Sequence, residues 1–183
     1  MQQILRYLET IIPATSLLHA KDPVIPMLLT VLLSVPSAIV LLQLAWYSAG
    51  VRIALNKSVW PGTILGVSIS VARQLIAVPF HVLVSIVLII LFVRKTGKVS
   101  LAKAVIASLF TESVVFIGSI IFLEPLFLIT TRVEGLTGFF VNNALGVFLG
   151  IVLETLGPAI TLLVFMKRGL TLTGYQERHP PVS

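Results

Sequence analysis

Four ionisable side chains interrupt otherwise apolar stretches of this 183-residue chain: Arg73, His81, Glu112 and Glu154. A charge at membrane depth costs at least ~2.5 kcal/mol on insertion scales. Such groups therefore face a bundle interior or a water-filled cavity, where they bind a solute, relay protons or pair with one another. Arg73 and His81 flank a turn expected at 76–79, and either has the alternative of snorkelling to the headgroups. Glu112 and Glu154 lie too deep for that escape. Glu154 has two readings: a residue that packs helices through one hydrogen bond, or a group whose protonation couples to pH or to ligand binding.

The neighbours of these residues are small. At 100° per residue Asn143, Gly146, Gly150, Glu154, Gly157 and Thr161 share an arc of about 80°. Gly146 and Gly150 form a Gly-xxx-Gly pair, which predicts close approach of another helix. The Pro158 ring clashes with the carbonyl of Glu154, which predicts a kink and a freed acceptor beside the acid. Gly62, Gly66, Ser70 and Arg73 share a second narrow face, and Ser108, Glu112 and Ser119 a third. Three polar stripes predict a polar bundle interior. By helical rise, His81 and Glu154 both lie about 20 Å from the basic residues ending their helices, a depth that permits them to pair.

Other chemistry is poorly served. Ser68, Ser70 and His81 are not fixed as a nucleophile, base and oxyanion donor. His19, His81 and His179 are too scattered to ligate a metal, and no glycine-rich loop follows a strand. The lack of cysteine excludes a thiol nucleophile, a disulfide framework and an iron–sulfur site. No enzymatic activity, metal or cofactor is expected.

The elements that must position these residues are membrane helices. The chain is 57% hydrophobic and 11% charged, whereas soluble domains carry roughly 25% charged residues. Uncharged runs reach the ~20 residues a crossing needs. Between charges, helices are expected at 26–48, 58–74, 77–93, 103–122 and 138–166, giving an all-α polytopic membrane bundle of five spans. The stretch 58–93 is read as two short helices, with a re-entrant loop as the rival. An amphipathic tail, 1–22, carries Ile4, Leu5, Leu8, Ile11 and Ile12 at helical spacing. The bundle occupies 23–167, and 168–183 forms a short tail. The first apolar run is too long for a cleavable signal, so no cleavage is expected.

Charge orients the bundle. Arg52, Lys57, Arg94, Lys95, Lys98, Lys103, Lys167, Arg168 and Arg178, nine of the thirteen basic residues, fall on one side of a five-span arrangement. The positive-inside rule makes that side cytoplasmic, with the N-terminus outside and the C-terminus inside. The net charge of +6 is then explained by anionic inner-leaflet lipid, and nucleic acid is not an expected partner.

Leu33-Ser34-Val35-Pro36 opening an apolar helix, a Gly62 helix ending at Arg73, a Pro79-Phe80-His81 turn, a long aliphatic helix and a basic loop form a pattern. It resembles the multi-pass sensor region of Gram-positive histidine kinases of the quorum-sensing and sporulation type, and related small stand-alone membrane proteins. The likeness covers 27–121. Two departures stand out: Ser37 replaces an acidic residue often found after the proline, and no dimerisation helix or ATPase domain follows Arg168. Kinase activity is therefore not implied, while membrane sensing, or partnership with a separate kinase, is. The expectation is a non-enzymatic sensory or regulatory module of the bacterial cell membrane, partnered by such a kinase or by a second copy. The alternative is a small-solute transport component whose Arg73, Glu112 and Glu154 line a path.

Overall fold

The computed structural model describes residues 24–75, 80–123, 125 and 144–172. Among them the chain is entirely helical. Helix α1 is Val24–Ser48, α2 Leu55–Leu75, α3 Phe80–Gly97 and α4 Leu101–Gly118; α4 runs on into a π-helical turn, Ser119–Leu123, and α5 is Ala144–Arg168. Among the described residues three stretches are long and apolar enough to cross a membrane, Thr30–Ser48, Leu101–Leu123 and Phe148–Arg168. Helices α2 and α3 are separate elements of 21 and 18 residues. The turn expected at 76–79, the tail 1–22, the start of the fifth expected helix at 138–143 and residues 173–183 lie outside the described residues.

The helix ends follow from local chemistry. Gly50, at φ 84°, closes α1: its N–H donates to the Tyr47 carbonyl at 3.0 Å and the next N–H, of Val51, to Trp46 at 2.9 Å. Only a left-handed residue allows that double return, so glycine occupies the position. Gly169, at φ 63°, closes α5 in a related way, with Leu170 N–H on the Phe165 carbonyl at 3.1 Å. Ser100 caps α4, its hydroxyl accepting from the Lys103 N–H.

Helix α1 is the central post and packs against all four others. Around it, α2 packs on α3, α3 on α4 and α4 on α5. The ends of α1, α3 and α5 and the starts of α2 and α4 gather at one end of the bundle. There the Leu172 N–H reaches the Ser48 carbonyl at 3.0 Å, and Gly97 abuts Trp46 and Val51. Trp46 and Leu42 are fully buried, with Leu65, Ile89, Val93, Ala104 and Ala107 around them. This half is mainly apolar, with buried Ser48 and Ser58 bonded to backbone carbonyls and Gln43 joined to Ser58, and the small Ala104 and Ala107 of α4 lie in the same core as Ala45 and Ala49 of α1. Phe110 stacks on Phe165 at 5.4 Å and adds α5 to it.

Glycines set two crossings. A β-carbon at Gly66 would lie 2.8 Å from the Ser34 carbonyl oxygen, and one at Gly62 would overlap Ile39, so α2 lies against the backbone of α1. The second crossing corrects an expectation. A β-carbon at Gly150 would meet nothing within 4 Å, whereas one at Gly157 would lie 2.8 Å from the Gly118 α-carbon. The close approach of α5 to α4 is thus at Gly157, about two turns from the Gly146–Gly150 pair; the side of α5 at Gly146 is outside the described contacts. Pro158 is inside α5 and fully buried at this crossing.

Candidate functional site

Above this mainly apolar core the five helices each turn hydroxyls or charges inward. Counting 1.5 Å per residue from the basic end, Glu112 and Ser85 sit about 17–18 Å up, Ser37 and Thr155 about 17–20 Å and Glu154 about 21 Å. His81 and Arg73 lie at about 24–27 Å. These depths define one polar layer, displaced toward the end opposite the basic residues.

Its centre is an ion pair between α2 and α5. Arg73 Nη1 donates to Glu154 Oε2 at 3.1 Å and Nη2 to Oε1 at 2.5 Å, the two-pronged geometry that matches a planar guanidinium to a carboxylate. Arg73 therefore turns into the bundle instead of toward the headgroups. The depth argument allowed His81 as the partner of Glu154; the hydrogen bonds go to Arg73, because a fork satisfies both carboxylate oxygens and an imidazole satisfies one. The side chains remain 33% and 27% exposed, so the pair borders open space. Both α2 and α5 pack along α1, and the Arg73–Glu154 pair is a direct side-chain link between them.

Glu112 accepts from the Ser85 hydroxyl at 2.5 Å, linking α4 to α3, and lies near enough to Arg73 and Glu154 for their charges to interact. His81 is in the electrostatic range of the same pair, and its Nδ1 is buried with no hydrogen-bond partner among the described residues. The four ionisable residues thus belong to one cluster drawn from four helices. With Arg73 balanced by Glu154, the cluster retains one further carboxyl group and one imidazole.

Two hydroxyl contacts complete the layer; the sequence placed Ser108 on an inward stripe with Glu112 but marked the partner of neither contact. Ser37 of α1 meets Thr155 of α5, oxygen to oxygen, at 2.5 Å. Thr155 already donates its single proton to the Ile151 carbonyl at 2.7 Å, so Ser37 is the donor. Ser108 donates across to the Ile86 carbonyl of α3 at 3.1 Å. The other hydroxyls turn back on their own helices: Ser70 on Gly66, Thr111 on Ala107 and Thr161 on Gly157. A signal for the first contact existed in Ser37 itself, the departure from the acidic pattern, whereas Ser85 and Thr155 sit among aliphatic residues without periodicity.

Among the described residues no three His, Asp or Glu side chains converge as metal ligands. The arrangement can exchange charge partners: a ligand or helix bearing a cation or an anion competes for Glu154 or Arg73, which are each partly open. No family model, no curated protein and no solved structure matches the chain, so the functional reading rests on this geometry.

Proposed function

We propose that the chain is a non-enzymatic membrane sensory or regulatory module with five crossings, its N-terminus outside and the basic end in the cytoplasm. The observation that carries this reading is the Arg73–Glu154 pair, which holds α2 to α5 above a tightly packed inner half. An ion pair at membrane depth is a two-state contact: closed, it neutralises both charges; opened by a competing ligand or partner helix, it frees α2 and α5 to shift. A ligand moves that equilibrium only as far as it prefers one state. The basic inner end, made by the termini of all five helices, is the surface that passes the shift to a separate histidine kinase or a second copy.

Orientation is checked by single cysteines in this naturally cysteine-free chain. A cysteine at Lys98 is expected to be shielded from a membrane-impermeant reagent in intact cells and one at Arg132 to be labelled. Labelling of position 98 contradicts the arrangement. Function is tested by in-cell crosslinking through the 94–103 loop with identification of what is captured. A histidine kinase supports the module. Solute uptake by proteoliposomes holding this protein alone supports instead a transport component, in which the same charges line a path.

A further inference from the structure

The inner end carries a second feature that the polar layer does not use. A cleft of about 570 Å³ runs beside α3, lined by Leu88, Leu91, Phe92, Arg94 and Lys95, within the ~300–1,000 Å³ range of small-ligand sites. Leu88 and Phe92 pack on the core and form its floor. Leu83, Val87 and Leu91, each more than half exposed, recur at four-residue spacing and lead to Lys95, the next position of the same stripe. From Leu83 to Lys95 the stripe is about 18 Å long, close to the ~15 Å half-thickness of a bilayer's hydrocarbon core. One face of α3 is therefore an apolar track of single-leaflet length ending in two exposed cations.

Charge selects the occupant. The described residues at this end hold Arg52, Lys57, Arg94, Lys95, Lys98, Lys103, Lys167 and Arg168 and no carboxylate, while the described acids, Glu112 and Glu154, lie in the polar layer. The Arg94 guanidinium is a fork suited to phosphate, and Lys95, also exposed, lines the same cleft. An inorganic anion would leave the apolar floor uncovered, and a neutral lipid would leave the cations unbalanced.

We propose that this cleft is a binding site for one inner-leaflet anionic phospholipid, its phosphate held by Arg94 and Lys95 and an acyl chain lying along Leu83, Val87, Leu88, Leu91 and Phe92. The proposal rests on the membrane crossing with this end inside, which the Lys98 labelling tests separately, and not on the sensory reading.

The test is native mass spectrometry of the full chain in detergent, titrated with phosphatidylglycerol, with phosphatidylcholine, and with phosphatidylglycerol in the presence of inorganic phosphate. Phosphatidylglycerol is expected to bind more tightly than phosphatidylcholine and to resist inorganic phosphate. In Arg94→Gln/Lys95→Gln its affinity should fall by about thirtyfold, the effect of two interfacial basic groups. Leu91→Trp, which fills the cleft and leaves the charges in place, should weaken both lipids. The pair Lys98→Gln/Lys103→Gln should keep most of the affinity and shows that charge removal alone is tolerated by the fold. Equal loss in that second pair would show a diffuse basic rim and overturn the site. Equal binding of the two lipids, or displacement by inorganic phosphate, would overturn it as well, as would a polypeptide found seated on the cleft.

Discussion

Arg73 and Glu154 make opposite demands on the same low-dielectric space, and each is tolerable because of the other. Removing one partner of a buried pair typically costs 3–5 kcal/mol, since the remaining charge is stranded; here the pair is partly open, and solvent screening lowers the expected loss for Glu154→Gln to about 2 kcal/mol. Thermal unfolding in detergent measures it. Arg73→Gln/Glu154→Gln, which strands nothing, should be less destabilised than the two single losses added together; strict additivity would show that the pair contributes no coupling. At this scale sequence reading found the four ionisable residues and missed their partners. A helical wheel assigns a residue to a face of its own helix but does not choose among the faces of four others, so Arg73 was as eligible for the headgroups as for Glu154. The reach of Ser85 and Ser37 was invisible for another reason: an intrahelical serine or threonine ordinarily bonds its own preceding turn, as Ser70, Thr111 and Thr155 do, and sequence carries no mark of the ones that donate across.

At the scale of elements, α5 shows how spacing and environment part company. Gly146, Gly150, Gly157 and Pro158 were all legible as a small face around Glu154, yet the structure uses Gly157, where Gly118 supplies a second glycine on α4 and both backbones come together. Close approach requires small residues on both helices, and a motif read on one helix contains half of that condition. Two substitutions separate the positions. Gly150→Ala places its methyl in open space and gains helix propensity, so it should be neutral or stabilising by up to about 1 kcal/mol. Gly157→Ala drives a methyl into the backbone of α4 and should lower stability by about 1–3 kcal/mol, the usual range for overpacking. Both are measured by the same thermal unfolding in detergent, and loss at position 150 equal to that at 157 would move the crossing back to the Gly-xxx-Gly pair. Neighbouring the crossing, α4 loosens into the π-helical turn Ser119–Leu123, a register change that a regular 100° wheel does not anticipate for Ser119.

For the molecule as a whole, hydropathy made the all-helical membrane architecture legible, because long uncharged runs have few other solutions in water or lipid. The division into a mainly apolar half around Trp46 and a charged half around Arg73 was not legible. It depends on which turns of five helices meet, and the alanines in the apolar half read as ordinary apolar residues. In the proposed sensory module that division assigns the parts: the polar layer receives a signal, the packed half acts as the lever, and the basic end delivers the shift. The claim is tested most directly by pulsed-EPR distances between nitroxides on Asn56→Cys and Met166→Cys. These exposed positions lie at the basic ends of α2 and α5 in a chain with no native cysteine. With Arg73 and Glu154 intact, the account predicts one narrow distance distribution, and with Glu154→Gln a shifted or broadened one in a protein that remains helical by circular dichroism. An unchanged distribution in the folded Glu154→Gln protein would contradict it, since the ion pair would then hold nothing that the inner end can feel.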